Sequence, residues 1–352
     1  MKKTLLFITL LVFITSAVFP QSKMDIDNLI DIDGLLYNPN DDKPYTGKVF
    51  DLYDNTQKKF DGRYKNGLGN GKWTWWSEGS KMDSSGTYKN GIKDGKWTRW
   101  YENEQKKEEA TYKDGKEDGL LTYWYENGQK KTEGTYNNGK QVGKWTWWSE
   151  GGKMGSSGTY KNGIKNGKWT RWYDNGQMKQ EGTFKDGEQV DKRTDWYDNG
   201  QMKQEGTFKD KKYNGKWTWW YDNGQKKSEV TYNNGKQEGL LTSWYENGQK
   251  KMEGTYNNGK QAGKWTYLLS NGQKWREGAF KDGIKDGKWT RWYENGQMKQ
   301  EGTFKNHHED GKWTFYYENG QIREEGNYTG GKQAGKWTYY NKDASIKEVK
   351  EF

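Results

Sequence analysis

The sequence predicts an all-β protein: a linear array of 24-residue β-hairpin repeats forming one elongated, twisted antiparallel sheet. Three observations predict it. Gly-Lys-Trp begins at Gly71, Gly95, Gly143, Gly167, Gly215, Gly263, Gly287, Gly311 and Gly335, always at multiples of 24, with in-phase variants at Gly47, Gly119, Asp191 and Gly239. A fixed period of this length marks a repeat array in which each unit needs its neighbours. Asn-Gly pairs such as Asn295-Gly296 and Asn319-Gly320 recur between β-rich runs and signal hairpins. Finally, only 30% of residues are hydrophobic and 31% are charged, yet 16% are aromatic, with 22 Trp and 25 Tyr. The polarity alone would suggest disorder, but so many rings argue for a folded, solvent-rich sheet.

From the amino terminus, Lys2 and Lys3 precede an apolar run over residues 5–14 that continues through Ala17, Val18 and Phe19. This is the pattern of a secretory signal peptide over residues 1–22. The run is short for a membrane span of about 20 residues, and an uncleaved anchor is the rival reading. Residues 23–46 read as a lead-in that caps the first unit, with two short strands around an Asn38 to Asp42 turn. Pro39 and Pro44 lie there, and an open sheet edge needs such a seal.

Twelve units follow over 47–334. Counting the Gly of Gly-Lys-Trp as the first place, a two-residue type I′ turn at Asn295-Gly296 would pair Tyr293 with Met298 and Trp289 with Gly302. The sixteenth place is usually Gly, opposite the third-place Trp, so we expect the Trp289 ring to cover Gly302. The eighteenth place is Tyr or Phe in all twelve units, from Tyr64 to Tyr328. A second turn, Asp282-Gly283 or Asn258-Gly259, links to the next unit. Residues 335–352 are a truncated unit ending in a charged cap strand. Residues 149–173 nearly repeat 77–101, and 239–266 nearly repeat 119–146, so whole units have been copied.

The chemistry-bearing residues are sparse. Cys is absent, which excludes disulfides, thiolate metal ligands, a cysteine nucleophile and a lipoprotein anchor. The only histidines, His307 and His308, fall in a turn where other units carry Gly-Ile or Gly-Lys. No strand-to-helix glycine motif for phosphates appears. The net charge of +10 is spread along the chain without a basic block. The sequence therefore predicts no enzyme, no cofactor and no metal, and scattered charge with export argues against nucleic acid.

The unit GKWTRWYENGQMKQEGTFKDG, with W-x-x-W-Y-[ED]-N-G-Q, E-G-T-[YF] and [DN]-G-K in fixed order, resembles the bacterial variant of the MORN (membrane occupation and recognition nexus) repeat. The resemblance covers about residues 47–340, and DGLLYNPNDDKPYTG is similar to the lead-in of such proteins. It implies β-hairpins joined into an extended sheet that acts as a structural or recognition module. Proteins of this kind are often labelled antitoxin components.

Because the repeating places have structural duties, function is expected in the variable ones. The fifth place is Trp75, Arg99, Trp147, Arg171, Trp219 and Arg291 in different units, and these six are the candidate binding-face residues. The expectation is an exported, non-enzymatic scaffold for protein–protein interaction at the bacterial envelope or outside the cell, a host surface included. Glycan or cell-wall binding through the rings and association with an anionic membrane surface are the alternatives. An antitoxin role fits least, because a cytoplasmic partner conflicts with export.

Overall fold

A computed structural model describes residues 23–352; the expected signal peptide, residues 1–22, lies outside the described residues. The chain divides into two compact units, Met1–Gly128 and Gln129–Phe352. In each, successive strands pair antiparallel with their sequence neighbours, so every unit of the array is a hairpin whose second strand joins the next hairpin. The repeat phase and the all-β class are as the sequence predicts.

The first compact unit opens with the lead-in, whose two short strands lie around Asp33-Gly34 and not around the Asn38 to Asp42 turn. Strand Met24–Asp25 runs parallel to Gly47–Leu52, and Ile30–Ile32 pairs with Leu35–Tyr37 around Asp33 and Gly34. The two lead-in strands therefore flank Asp33-Gly34, where φ is +52° and +78°. The turn after Asn38 is present as well: Asp41 N–H donates to the Asn38 carbonyl at 2.9 Å, and it returns Tyr37 to a bridge with Pro44. Leu29, Val49 and Trp73 form a buried cluster beneath this cap. At the far end of the second compact unit, Ile346–Glu351 pairs with Lys332–Tyr340 as the expected final strand.

The two turns exchange roles relative to the sequence reading. At Asn295 and Gly296 only Gly296 has positive φ, +84°. Gly296 N–H donates to the Tyr293 carbonyl at 3.0 Å and Tyr293 N–H to Gln297 at 2.8 Å, which closes a three-residue loop. Trp292 then faces Met298, and Lys299 bulges out before Arg291 meets Gln300. Trp289 still faces Gly302, as the two-residue turn required, because the bulge cancels the longer loop. The type I′ turn is instead Asp282-Gly283, with φ +51° and +87°, closing a tight hairpin between Lys281 and Ile284. Asx bonds reinforce this loop: Asn295 Oδ1 accepts the Gln297 N–H at 3.0 Å and its Nδ2 donates to the Glu318 carbonyl at 2.9 Å, one unit on.

The ring pairing also differs. A Cβ built on Gly302 would meet Cδ2 of Trp313 at 2.1 Å, and one on Gly278 would meet Cδ2 of Trp289 at 2.0 Å. Each indole therefore covers the glycine of the preceding unit, not its own. The cause is a second bulge. Between Gly278 and Phe280 the register slips past Ala279, where Gly287 takes φ +101° on the partner strand. The skipped Ala279 carbonyl accepts the Trp289 indole N–H at 3.0 Å, which tilts the ring back over Gly278. The same bond recurs from Trp313 to Thr303 and from Trp337 to Asn327.

These rings make the core on one face of the sheet. Trp217, Trp265, Trp313 and Trp337 are fully buried, and eighteenth-place rings stand edge-on between them, as Phe304 does to Trp289 (6.1 Å) and Trp313 (5.1 Å). Edge-to-face pairs of this kind add about 0.5–1.5 kcal/mol each beyond the area they bury. The opposite face carries buried Thr290 and Thr314 between surface ion pairs such as Lys288–Glu301 and Lys312–Glu325, both at 2.8 Å.

Candidate binding face

On the aromatic face the fifth, fourteenth and twenty-third places stand above the buried Trp column. The first two line up across strands. In the first compact unit the row runs Asp51, Phe60, Trp75, Ser84, Arg99, Glu108, Tyr123. In the second, Trp147, Ser156, Arg171, Gln180, Asp195, Gln204 and Trp219 are successive cross-strand neighbours. Five of the six candidate residues are in these rows, Trp75 and Arg99 in one compact unit and Trp147, Arg171 and Trp219 in the other; Arg291 lies farther along the second compact unit, opposite Arg276 and Gln300.

The two residue types play different parts. Trp75 is half-buried, its ring 5.6 Å from Trp73 and 5.5 Å from Trp97, and Trp147 bridges Trp145 and Trp169 in the same way. Trp219 lies 5.8 Å from Trp217 and donates its N–H to Gln204 Oε1 at 3.1 Å. These indoles roof the core and show one edge to solvent. Arg99 and Arg171 are exposed, and Arg99 pairs with Glu108 at 3.5 Å. Beside each, a lysine from the twenty-third place of the preceding unit lies over a ring: Lys93 at 4.2 Å from Trp97 and Lys165 at 4.1 Å from Trp169. Burial pushes both amines below the usual lysine range, and Arg99 and Arg171 push the same way.

Three features escape the six residues read from sequence. Where DKRT replaces GKWT, Arg193 stands in the Trp place and binds buried Asp195 through Nε at 3.1 Å to both carboxylate oxygens. Gln204 also donates to Asp195, and Gln189 fills the space over Gly182 that an indole would cover. Where GLLT replaces GKWT, Leu241 and Val230 line the floor of an open depression of about 350 Å³, with Trp219, Tyr232, Gln204 and Gln237 around it. Each of these substitutions was visible as a break in the repeat. The third feature is Arg276, beside Arg291, with Trp275 in the bulge where Lys299 stands one unit later; a fourteenth-place Arg in QKWREG was its only signal.

The face offers ring edges, guanidinium forks and amides, groups chemically able to bind a ligand but not to carry out catalysis on their own. Among the described residues no group of three or more His, Cys, Asp or Glu is placed to hold a metal. His307 sits in the turn, with φ +74° in the place of the type I′ glycine.

The model of the MORN repeat variant matches nine segments, 93–114, 117–138, 141–162, 165–186, 192–210, 213–234, 237–258, 285–306 and 309–329, together more than half of the sequence. The chain belongs to the MORN repeat variant family. Such a MORN repeat scaffold is suited to interaction with proteins or membranes. No curated protein matches the chain. Among solved structures, TcdB2-TccC3-Cdc42 covers 92% of this chain at 11% identity with a TM-score of 0.18, and a Photorhabdus luminescens Tc holotoxin pore covers 92% at 10% identity with 0.17. The chain spans about a fifth of those structures' own chains, 20% and 19%, and at these scores the likeness carries no argument. The matched MORN segments leave one long internal gap, 259–284, which holds Trp275 and Arg276.

Proposed function

We propose that this MORN repeat chain is an exported, non-enzymatic scaffold that holds a protein partner on its aromatic face, at the bacterial envelope or outside the cell. The observation that supports it is the division of labour on that face. Trp, Gly and Tyr or Phe in the third, sixteenth and eighteenth places hold the sheet, while the fifth and fourteenth places above them differ from unit to unit. Those variable places alternate half-buried rings with Arg, Gln and Ser, a mixture typical of protein interfaces, where aromatics and Arg are enriched. Copied units enlarge such a surface without needing a unique pocket.

Two measurements test the proposal. The full-length chain made in a bacterium should be recovered outside the cytoplasm with residues removed from its amino terminus, read by mass spectrometry; an intact terminus in the cytoplasm refutes export. A photo-crosslinking residue placed at Ser228, in the variable row, should capture one defined protein. The same probe at Lys288, on the opposite face, should not; equal capture from both faces refutes the assignment of the face.

A second reading, glycan binding, is favoured by the depression over Val230 and Leu241. It combines the Trp219 ring with the amides of Gln204 and Gln237, the pairing of an apolar plane with hydrogen-bonding groups that sugars require. Retention of the wild-type chain, but not of Trp219→Ala, on purified cell wall supports it; no retention removes it.

A further inference from the structure

Charges along the variable row are otherwise arranged with neutral or opposite neighbours. Arg99 lies between Ser84 and Glu108, Arg171 between Ser156 and Gln180, and Asp195 between Gln180 and Gln204. One place breaks the pattern. Arg276 and Arg291 are direct cross-strand partners, flanked by Tyr267 on one side and Gln300 on the other. Like charges directly opposite in an antiparallel pair are destabilising, and the row supplies no acid until Glu324, beyond Gln300 and Phe315.

The two guanidiniums are also unsatisfied. Nε of Arg276 and Nε of Arg291 are both buried without a hydrogen-bond partner. What they touch is aromatic: the Arg276 guanidinium lies 4.1 Å from the Tyr267 ring and 4.6 Å from Trp275, and Arg291 lies 5.7 Å from Trp275. Trp275 is exposed. Lys285 adds a third cation, its amine 4.5 Å from the Phe304 ring. Burial and the two arginines push that amine below the usual lysine range, with Glu309 opposing them. Glu277, the nearest acid in sequence, is turned to the other face and bound by Lys264 and Lys274.

We propose that Arg276 and Arg291, walled by Trp275 and Tyr267, form the docking site for a carboxylate-rich segment of a protein partner. This inference rests on the protein-scaffold reading above and gives it a place and a chemistry. Two planar guanidinium forks side by side fit carboxylates, which accept in a bidentate manner. An extended acidic segment can place one carboxylate on each of the two cross-strand forks at once, which a single free ion cannot. The net charge of +10 favours an acidic partner over a basic one. Atypical sequence points the same way, since this site lies in or beside the internal unit that departs from the family pattern.

The test uses the full chain and a fluorescein-labelled octaglutamate peptide, followed by anisotropy. Saturable binding that weakens as salt rises is expected. Arg276→Gln and Arg291→Gln should each weaken it about tenfold or more, the cost of losing one charged hydrogen-bonded contact. Gln already occupies the fourteenth place at Gln180, Gln204 and Gln300, so Arg276→Gln is compatible with the fold. Relief of the like-charge pair should raise its melting temperature, not lower it. Arg276→Lys, which keeps the charge without the fork, should bind more weakly than wild type. Arg99→Gln is the control for diffuse electrostatics, and equal weakening there overturns the site. Tighter binding of polygalacturonate or inorganic phosphate than of octaglutamate overturns the peptide assignment. If the partner captured from Ser228 is unaffected by Arg276→Gln and Arg291→Gln together, this site falls while the scaffold reading stands; if no partner is captured but octaglutamate binds at these arginines, the reverse holds.

Discussion

A single glycine shows how much each residue is committed to the array. Gly302 is covered by Trp313, so Gly302→Val forces overpacking that costs about 1–3 kcal/mol. The chain itself contains the compensated version: Val230 packs with Leu241, and Ala110 faces Leu121, each small or branched residue preceding a unit that has Leu in the Trp place. Gly302→Val combined with Trp313→Leu should therefore recover most of the loss, while Gly302→Val with Trp289→Leu should not. Thermal melts of the single and double variants check it. That covariation stands in the sequence, since the unit of Trp97 carries Ala110 and the unit of Trp217 carries Val230 in the sixteenth place. It identifies the covering ring, whereas the hairpin register alone, which is also correct, pointed to the wrong indole. Titration at this scale is equally specific. The hydroxyl of Tyr316 donates to Glu301 at 3.0 Å; burial and this bond push the tyrosine up to about 12, and the bonds from Lys288 and Tyr316 hold Glu301 below the usual carboxylate range. The raised Tyr stabilises the fold fully below its unfolded value near 10 and ceases to do so as pH rises towards 12. The depressed Glu stabilises above its unfolded value near 4.3 and stops as pH falls through its lower folded one. Tyr316→Phe should therefore lessen the loss of stability between pH 10 and 12, measured as melting temperature against pH.

Hairpins are joined to one another at their ends as well as along the ladder, and the end contacts decide what a turn substitution does. At one end Tyr293 donates its hydroxyl to the Tyr316 carbonyl at 2.8 Å and Asn295 donates to Glu318, both in the following unit. At the other, the Gly283 amide donates to Gln261 of the preceding unit at 2.9 Å. Asn295→Asp keeps the oxygen that accepts from Gln297 but removes the donor to Glu318, so it should cost about 1 kcal/mol. Hydrogen exchange should locate the loosening at the 317–321 turn, one unit away from the substitution; protection lost only at residues 293–297 would contradict the bridge. The sequence shows that two turns exist and where they lie. It does not show which is type I′, because Asn-Gly and Asp-Gly satisfy the same dihedral rule, and the three-residue loop closes even over 77–81, where Gly79 stands in the Asn place. The bulges were illegible for a related reason: the first-place glycine reads as a turn residue, and its φ of +101° at Gly287 serves a strand.

For the molecule as a whole, the places that could be read were those repeated in every unit, and the candidate face is defined by the places that are not. Repetition singled out the fifth place but ranked Trp75 and Arg291 together, although one is a roof of the core and the other carries an unpartnered Nε. The fourteenth place lies on the partner strand, so its neighbour across the sheet belongs to a different unit, and the Arg276–Arg291 pair becomes visible only when consecutive hairpins are joined. The same logic predicts what can be removed. Deleting residues 263–286 removes one whole period, placing Gly287 directly after the preceding unit and Trp289 where Trp265 was, over Gly254. The turn spacing, the bulge at Gly287 and the indole acceptor, now the Thr255 carbonyl that Trp265 uses, are all regenerated. The deleted chain should keep its β circular dichroism and a cooperative melt, because stability in such arrays is close to a sum over units and their interfaces. It should also lose octaglutamate binding, since Trp275, Arg276 and Lys285 leave with the unit and Arg291 then faces Met252. Deleting half a period, residues 263–274, leaves every later Trp one strand out of phase with its glycine. That chain should melt earlier and less cooperatively; equal stability of the two deletions would show that the 24-residue period is not the unit of folding.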